Sequence, residues 1–413
     1  MTGMTSMILT GKHNVARVFT DPVETSAVDQ IRALCDSEDF AGSKIRVMPD
    51  VHAGKGSVVG LTMTLDGKVD PNMVGVDIGC GMDTSEIRVK DIDFAKLDAV
   101  IRERVPSGFN VRETPLASAS ALGLDKLRCA GSVNLKLAER SLGTLGGGNH
   151  FIEVERGGDG RHCLVIHSGS RKLGLEVAAH YSRKAEGRGA DGWRAARAAL
   201  IARLKEEGRE LEIADELRAM PRLPAGIPFV SGADFDDYIH DMKIAQGYAS
   251  RNRETMRTVI AAEMGWKVEA SMETVHNYID TDSMILRKGA VSAKKGEPFL
   301  VPINMKEGSL LCTGRGNDDW NCSGPHGAGR LMSRSEARRR LSVDDFVRGM
   351  EEVWTTSAGA DTLDEAPGAY RSMEDIVRAI GPTAEIRERL FPVYSFKAGG
   401  ERRANKTPIK KTA

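Results

Sequence analysis

The sequence predicts an α+β protein: a mixed β-sheet body interrupted by one long helical insertion. Three observations carry that prediction. Short apolar runs alternate with Pro, Asp and Gly between residues 45 and 90, and alternation returns at 150–155 and 162–167, as in half-buried strands joined by tight turns. Residues 172–265 instead carry Ala, Arg, Leu and Glu at helical spacing. A turn-rich block at 286–330 then returns to short strands.

Taken in order, the first block holds runs at 45–48, 58–61 and 74–76. The run 162–167 ends directly at Ser168-Gly169-Ser170, which places His167 at a strand end. Within the insertion, Ala195, Ala198, Leu200, Ile201 and Leu204 mark one helix face, with the helix extending to about Met220. A second helix is expected from Ser231-Gly232-Ala233-Asp234, where Ser and Asp suit an N-cap, through Tyr238, Met242, Ala245, Tyr248 and Ala249 to about Met264. Residues 343–391 read as helical with a break at Pro367-Gly368, and 401–413 as a basic, apolar-poor, flexible tail.

Lys and Arg total 58, as do Asp and Glu, so no global field draws the chain to a polyanion and any such site must be a local patch. The six cysteines, at 35, 80, 129, 163, 312 and 322, form no Cys-x-x-Cys pair and no disulfide framework, which fits a reducing cytoplasm. No leader-like start and no apolar run of about 18 residues is visible. A soluble cytoplasmic protein with no membrane partner is expected.

Five short segments, four of them glycine-bordered, present metal-ligand or nucleophile side chains: Gly75-Val76-Asp77-Ile78-Gly79-Cys80-Gly81, Gly146-Gly147-Gly148-Asn149-His150, His167-Ser168-Gly169-Ser170-Arg171, Val275-His276-Asn277 and His326-Gly327-Ala328-Gly329-Arg330. Taken singly, Cys80 reads as a buried free thiol and each histidine as a satisfied structural group. Together they favour one metal and phosphate site. Asp77 and Cys80 sit three apart in a bend, and thiolate with imidazole suits zinc, while the carboxylate leaves manganese or iron open. Alternation puts Asn149, Phe151 and Glu153 on one strand face and His150 on the other. His326 opens a run whose backbone N–H groups could cradle phosphate, with Arg330 as a bidentate cation; the histidine itself reads as a metal ligand or a nucleophile. His13, His162, His180 and His240 lack converging partners. Asp50-Val51-His52-Ala53-Gly54-Lys55-Gly56 has phosphate-loop composition without the required spacing. The clusters at 334–340 and 251–253 read as solvated basic faces.

In this order, these segments resemble the RtcB-type RNA-splicing ligase family, GTP- and manganese-dependent 3′-phosphate RNA ligases. The resemblance spans about 45–397 and is carried by Met48-Pro49-Asp50-Val51-His52, Gly75 to Met82, Leu145 to Glu153, His167 to Arg171, Arg287-Lys288-Gly289-Ala290-Val291-Ser292-Ala293 and His326 to Arg334. It implies one catalytic domain over 1–400, with 172–265 as its helical insertion, and a dinuclear metal site in a central cleft. Cys80 would bridge two Mn(II) ions, with Asp77 and His150 completing one site and His167 and His276 the other. His326 would be guanylylated by GTP. Asn149 and Glu153, the Gly327-Ala328-Gly329 backbone, Tyr370 and Lys397 would contact the nucleotide. The implied reaction joins RNA 3′-phosphate or 2′,3′-cyclic phosphate ends to 5′-hydroxyl ends, in repair or tRNA splicing, and allows for a protein activator. The rival readings are a two-metal cyclic phosphodiesterase that does not ligate and a non-catalytic RNA-binding protein. The chain departs from the family pattern at Pro302-Ile303-Asn304-Met305-Lys306-Glu307-Gly308, at Val275 before His276 and at Pro325 before His326.

Overall fold

The structure is a computed structural model describing residues 6–399 apart from 208, 210–211, 214–215 and 218–225, with side chains left aside at 188–196. The chain runs β1 (Met7–Thr10), β2 (Val15–Val18), α1 (Thr25–Cys35), β3 (Ile45–His52), β4 (Val59–Thr64), β5 (Lys68–Val69), β6 (Gly81–Arg88), α2 (Phe94–Arg104), α3 (Leu135–Ser141), β7 (Phe151–Arg156) and β8 (His162–Ser168). There follow α4 (Arg171–Glu206), β9 (Val230–Ser231), α5 (Ala233–Met264), β10 (Lys267–Val275), β11 (Asn277–Asp280), β12 (Ile285–Lys288), β13 (Ala290–Ser292), β14 (Pro298–Asn304), β15 (Gly308–Gly314), β16 (Ser323–Pro325), α6 (Arg334–Arg340), α7 (Val343–Gly349), α8 (Met373–Ile380) and β17 (Ala384–Lys397).

A six-stranded sheet has the order β1-β2-β3-β4-β12-β11, and a seven-stranded sheet the order β10-β6-β8-β7-β17-β15-β14. The mixed sheets with an inserted pair of long helices are the α+β body expected. One apolar core lies between the six-stranded sheet, α1, α4 and α5; a second fills the space between the seven-stranded sheet, α2 and α5. Helix α5 serves both, because Phe235, Tyr238, Met242, Ala245, Tyr248, Ala249, Met256 and Ile260 recur at helical spacing and are all buried. It stops at Gly265, whose φ of 70° is the left-handed cap that glycine adopts without cost.

Four expectations change. The run 74–76 is not a strand: it belongs to the turn leading into β6. Helix α4 ends at Glu206, short of Met220, which lies outside the described residues. The region 343–391 holds only the short helices α7 and α8 and 3-10 turns before β17 begins at Ala384. The charged run Glu385-Ile386-Arg387-Glu388-Arg389 suits a helix locally, but pairing with β15 overrides that preference, and the strand continues from Phe391 alongside β7. Finally, Asn252 and Arg253 are not on a solvated basic face: both are buried. The tail at 401–413 lies outside the described residues.

Candidate functional site

Four adjacent strands of the seven-stranded sheet deliver side chains to one end. Cys80 precedes β6, His167 sits near the end of β8, His150 precedes β7 and His276 follows β10. Antiparallel register aligns these ends, since Gly81 faces both Val275 and Ser168, and Phe151 faces His167. Asp77 joins them from a turn closed by the Cys80 N–H donating to the Asp77 carbonyl at 3.1 Å. Two glycines permit this approach. Gly79 has φ 72° and lies against α5, where a Cβ would come 2.9 Å from the Gln246 Cα; a Cβ on Gly169 would stand 2.2 Å from Asp77 Oδ1.

The resulting donor set forms two triads sharing one thiol, Asp77/Cys80/His150 and Cys80/His167/His276. Cys80 Sγ is 3.5 Å from His150 Nε2 and 3.3 Å from His167 Nε2. His150 Nε2 lies 3.1 Å from Asp77 Oδ2, and His167 Nε2 3.4 Å from His276 Nε2. Backbone carbonyls set two of the ring tautomers: His150 Nδ1 donates to Leu145 O at 2.9 Å and His167 Nδ1 to Asn149 O at 3.1 Å. Their Nε2 lone pairs are thereby aimed at acceptors, an arrangement that a cation completes. Among the described residues, buried His276 Nδ1 has no hydrogen-bond partner, so no such bond sets its tautomer. Burial, then the neighbouring imidazoles, hold His167 well below 6.5; burial and His326 do the same to His276. Burial alone would raise Asp77, but His150, Arg171 and Ser170 together bring it below the usual carboxylate value. Burial and Asp77 push the Cys80 thiol well above 9 in the polypeptide alone, which a bound divalent ion would reverse by binding the thiolate. Two neutral imidazole donors with set tautomers, a carboxylate and a shared thiol fit a pair of divalent ions.

His326 follows directly on β16, and its ring centroid is 5.0 Å from that of His276. The fully buried Asp50 holds it: Oδ2 accepts from His326 Nδ1 at 2.7 Å, from its backbone N–H at 3.1 Å and from that of Gly327 at 3.3 Å. Nδ1 therefore carries the proton and Nε2 is left as a lone pair, the state a nucleophile needs.

A cavity of about 240 Å³ opens beside His326. Asn149, Glu153, Gly327, Ala328, Gly329, Tyr370 and Lys397, all singled out in the sequence, line it together, as does the departing segment Pro302 to Met305. Burial raises the Glu153 carboxyl, with Lys397 acting against it, and Ser395 Oγ donates to it at 2.8 Å. No motif singles out Glu365, which is 3% exposed and accepts from Tyr370 Oη at 2.6 Å, Lys397 Nζ at 3.1 Å, Arg334 at 2.7 Å and Arg330 at 3.3 Å. Arg330 is not a free fork for phosphate: its other bonds go to the Met332 and Asp364 carbonyls and to Tyr370. It builds the wall instead. Arg334 and Arg338 also pair with Asp364, so part of that basic cluster is structural.

A second cavity, of about 270 Å³, reaches the donor cluster from another side, lined by Lys55, Asn72, Asp77, Cys80, His276 and Asn277 among others. Lys288 borders it, but its ammonium is tied to the Lys55, Ser57 and Asn72 carbonyls.

A family model described as tRNA-splicing ligase RtcB matches residues 33–133 and 126–398. The chain is 30% identical to the RNA-splicing ligase RtcB1 of Escherichia coli strain ATCC 25922, over 94% of this chain and 99% of that protein. It is 29% identical to the RNA-splicing ligase RtcB of E. coli K12 over the same shares, and 26% identical to the tRNA-splicing ligase RtcB of Archaeoglobus fulgidus over 89% of each.

Proposed function

The chain belongs to the RtcB family of splicing ligases, and from that membership we propose that it is a GTP-dependent RNA ligase joining 3′-phosphate or 2′,3′-cyclic phosphate ends to 5′-hydroxyl ends. The observation that carries this reading is the Asp50-held lone pair of His326 at the mouth of a cavity beside the two-triad cluster. His326 Nε2 attacks the α-phosphorus of GTP; the bond to pyrophosphate breaks and GMP is left on the ring. Asp50 keeps the proton on Nδ1 and supports the positive charge the ring acquires. GMP then passes to the RNA 3′-phosphate, giving a 3′-ppG end whose leaving group is GMP. Two Mn(II) ions, one held by Asp77, Cys80 and His150 and one by Cys80, His167 and His276, would neutralise charge building on the phosphate oxygens. Asn149, Glu153, Tyr370, Lys397 and the Gly327 to Gly329 backbone hold the nucleotide. The cysteines are free, five of them buried, and among the described residues no helix is long and apolar enough to cross a membrane; we place the enzyme in the cytoplasm, acting in RNA repair or tRNA splicing.

The test incubates two RNAs, one ending in a 2′,3′-cyclic phosphate and one beginning with a 5′-hydroxyl, with protein, Mn(II) and GTP. The expected outcome is a joined product that requires GTP. Opening of the cyclic phosphate without GTP and without joining would instead identify a cyclic phosphodiesterase.

A further inference from the structure

The Asp50 to Gly56 segment enters that reaction only through Asp50, yet it carries a second histidine. His52 ends β3, and with Asn149 and His326 it lines both cavities, so these three side chains form the partition between them. His52 Nδ1 lies 3.2 Å from the Asp50 carbonyl oxygen. A carbonyl only accepts, so Nδ1 carries the proton and Nε2 is a lone pair, with no hydrogen-bond partner among the described residues. Asp50 thus sets both rings, His326 through its carboxylate and His52 through its backbone. The segment is pinned in place: Gly54 exchanges two hydrogen bonds with Gln30 of α1, and the Ala53 N–H donates to Glu24. Burial, then His326, lowers the affinity of the His52 ring for a second proton.

We propose that His52 is the general base of the sealing step, an inference that rests on the ligase reading. A 5′-hydroxyl entering through the second cavity gives its proton to His52 Nε2 as its oxygen bonds to the RNA 3′-phosphorus of the ppG end. The bond from that phosphorus to GMP breaks, GMP leaves with the electron pair, and His52 returns the proton to solvent. Both rings line both cavities; His326 is already assigned to guanylyl transfer, which leaves His52 for the 5′-hydroxyl.

The test supplies RNA already carrying a 3′-ppG end, so that guanylylation is bypassed, together with a 5′-hydroxyl RNA and Mn(II). Wild type and His326→Ala are expected to seal it. His52→Gln should seal about 10²–10⁴-fold more slowly, the range of general-base catalysis, while its labelling by GTP at His326 falls far less. Added imidazole should restore part of the rate to His52→Ala. Sealing by His52→Gln at the wild-type rate would overturn the proposal. So would an equal loss of labelling and sealing without imidazole rescue, which marks a structural role, or loss of sealing in His326→Ala, which makes His326 the base. Failure of the wild type to seal this RNA would overturn the ligase reading as well.

Discussion

At the scale of single residues the site is an arrangement of lone pairs. Leu145, Asn149 and Asp50 set the ring tautomers of His150, His167 and His326, and each bond leaves Nε2 as the lone pair that the proposed ligand or nucleophile role requires. The residues bearing those lone pairs were legible, since every one sits in a glycine-bordered segment of the sequence. Their partners were not. Asp50 and His326 are separated by 276 positions, and nothing in local spacing announces such a pairing. Glu365 escaped notice for the same reason, because its value lies in the Tyr370, Lys397, Arg330 and Arg334 side chains that meet around it. A pH effect follows from the neighbouring strand. Glu155 is fully buried, and burial with Glu153 beside it raises its carboxyl well above 4.5. The folded state then holds a proton that the unfolded chain releases, so this contribution is complete below about pH 4.5 and lost as pH rises through the folded value. Glu155→Gln, which can still accept from Ser309, should be more stable than wild type at pH 8 by upward of about 1 kcal/mol and equal to it near pH 4. Denaturant unfolding at both pH values checks this; a less stable variant at pH 8 would show that Glu155 is ionised in the fold.

Among elements, the sheet and α5 divide the work. Strands β10, β6, β8 and β7 bring their donor residues to one end of the sheet through their register, so a slip of one residue would turn His167 away from the cluster. Helix α5 braces the turns from behind. Its apolar stripe is broken by three buried polar residues, Asp241, Asn252 and Arg253, and the last two lie where the helix passes under the loops that carry the donor cluster. Arg253 donates to the Gly79 and Ser168 carbonyls, and Asn252 bonds Gly143, Thr144, Ser168 and Gly169. Periodicity revealed the helix but made these two residues look like a charged surface, because a polar pair on a helix betrays nothing of what it faces. The misreading of β17 has a similar origin: its charged first half finds strand neighbours only in the folded sheet. Asn252→Ala leaves the Gly143 and Thr144 N–H groups buried without acceptors, and we expect a loss of about 2–4 kcal/mol in denaturant unfolding. A loss below about 0.5 kcal/mol would mean that the loops do not depend on α5.

For the molecule as a whole, balanced charge said little about an RNA partner, and the first cavity adds little to that, because Arg330, Arg334 and Lys397 around it are each paired with Glu365. Lys55 lines the second cavity. The two cavities meet at His52, Asn149 and His326, beside the donor cluster; His276 stands between β10 and β11, while Asp50 and His52 come from β3 of the other sheet. The central claim is that His326 becomes covalently guanylylated beside this cluster. It is tested most directly by incubating the protein with α-labelled GTP, with and without Mn(II), and locating retained label by denaturing gel and mass spectrometry. The account predicts metal-dependent label on His326 of the wild type and none on His326→Ala or Cys80→Ala. Label on another residue, or its persistence in His326→Ala, would contradict it.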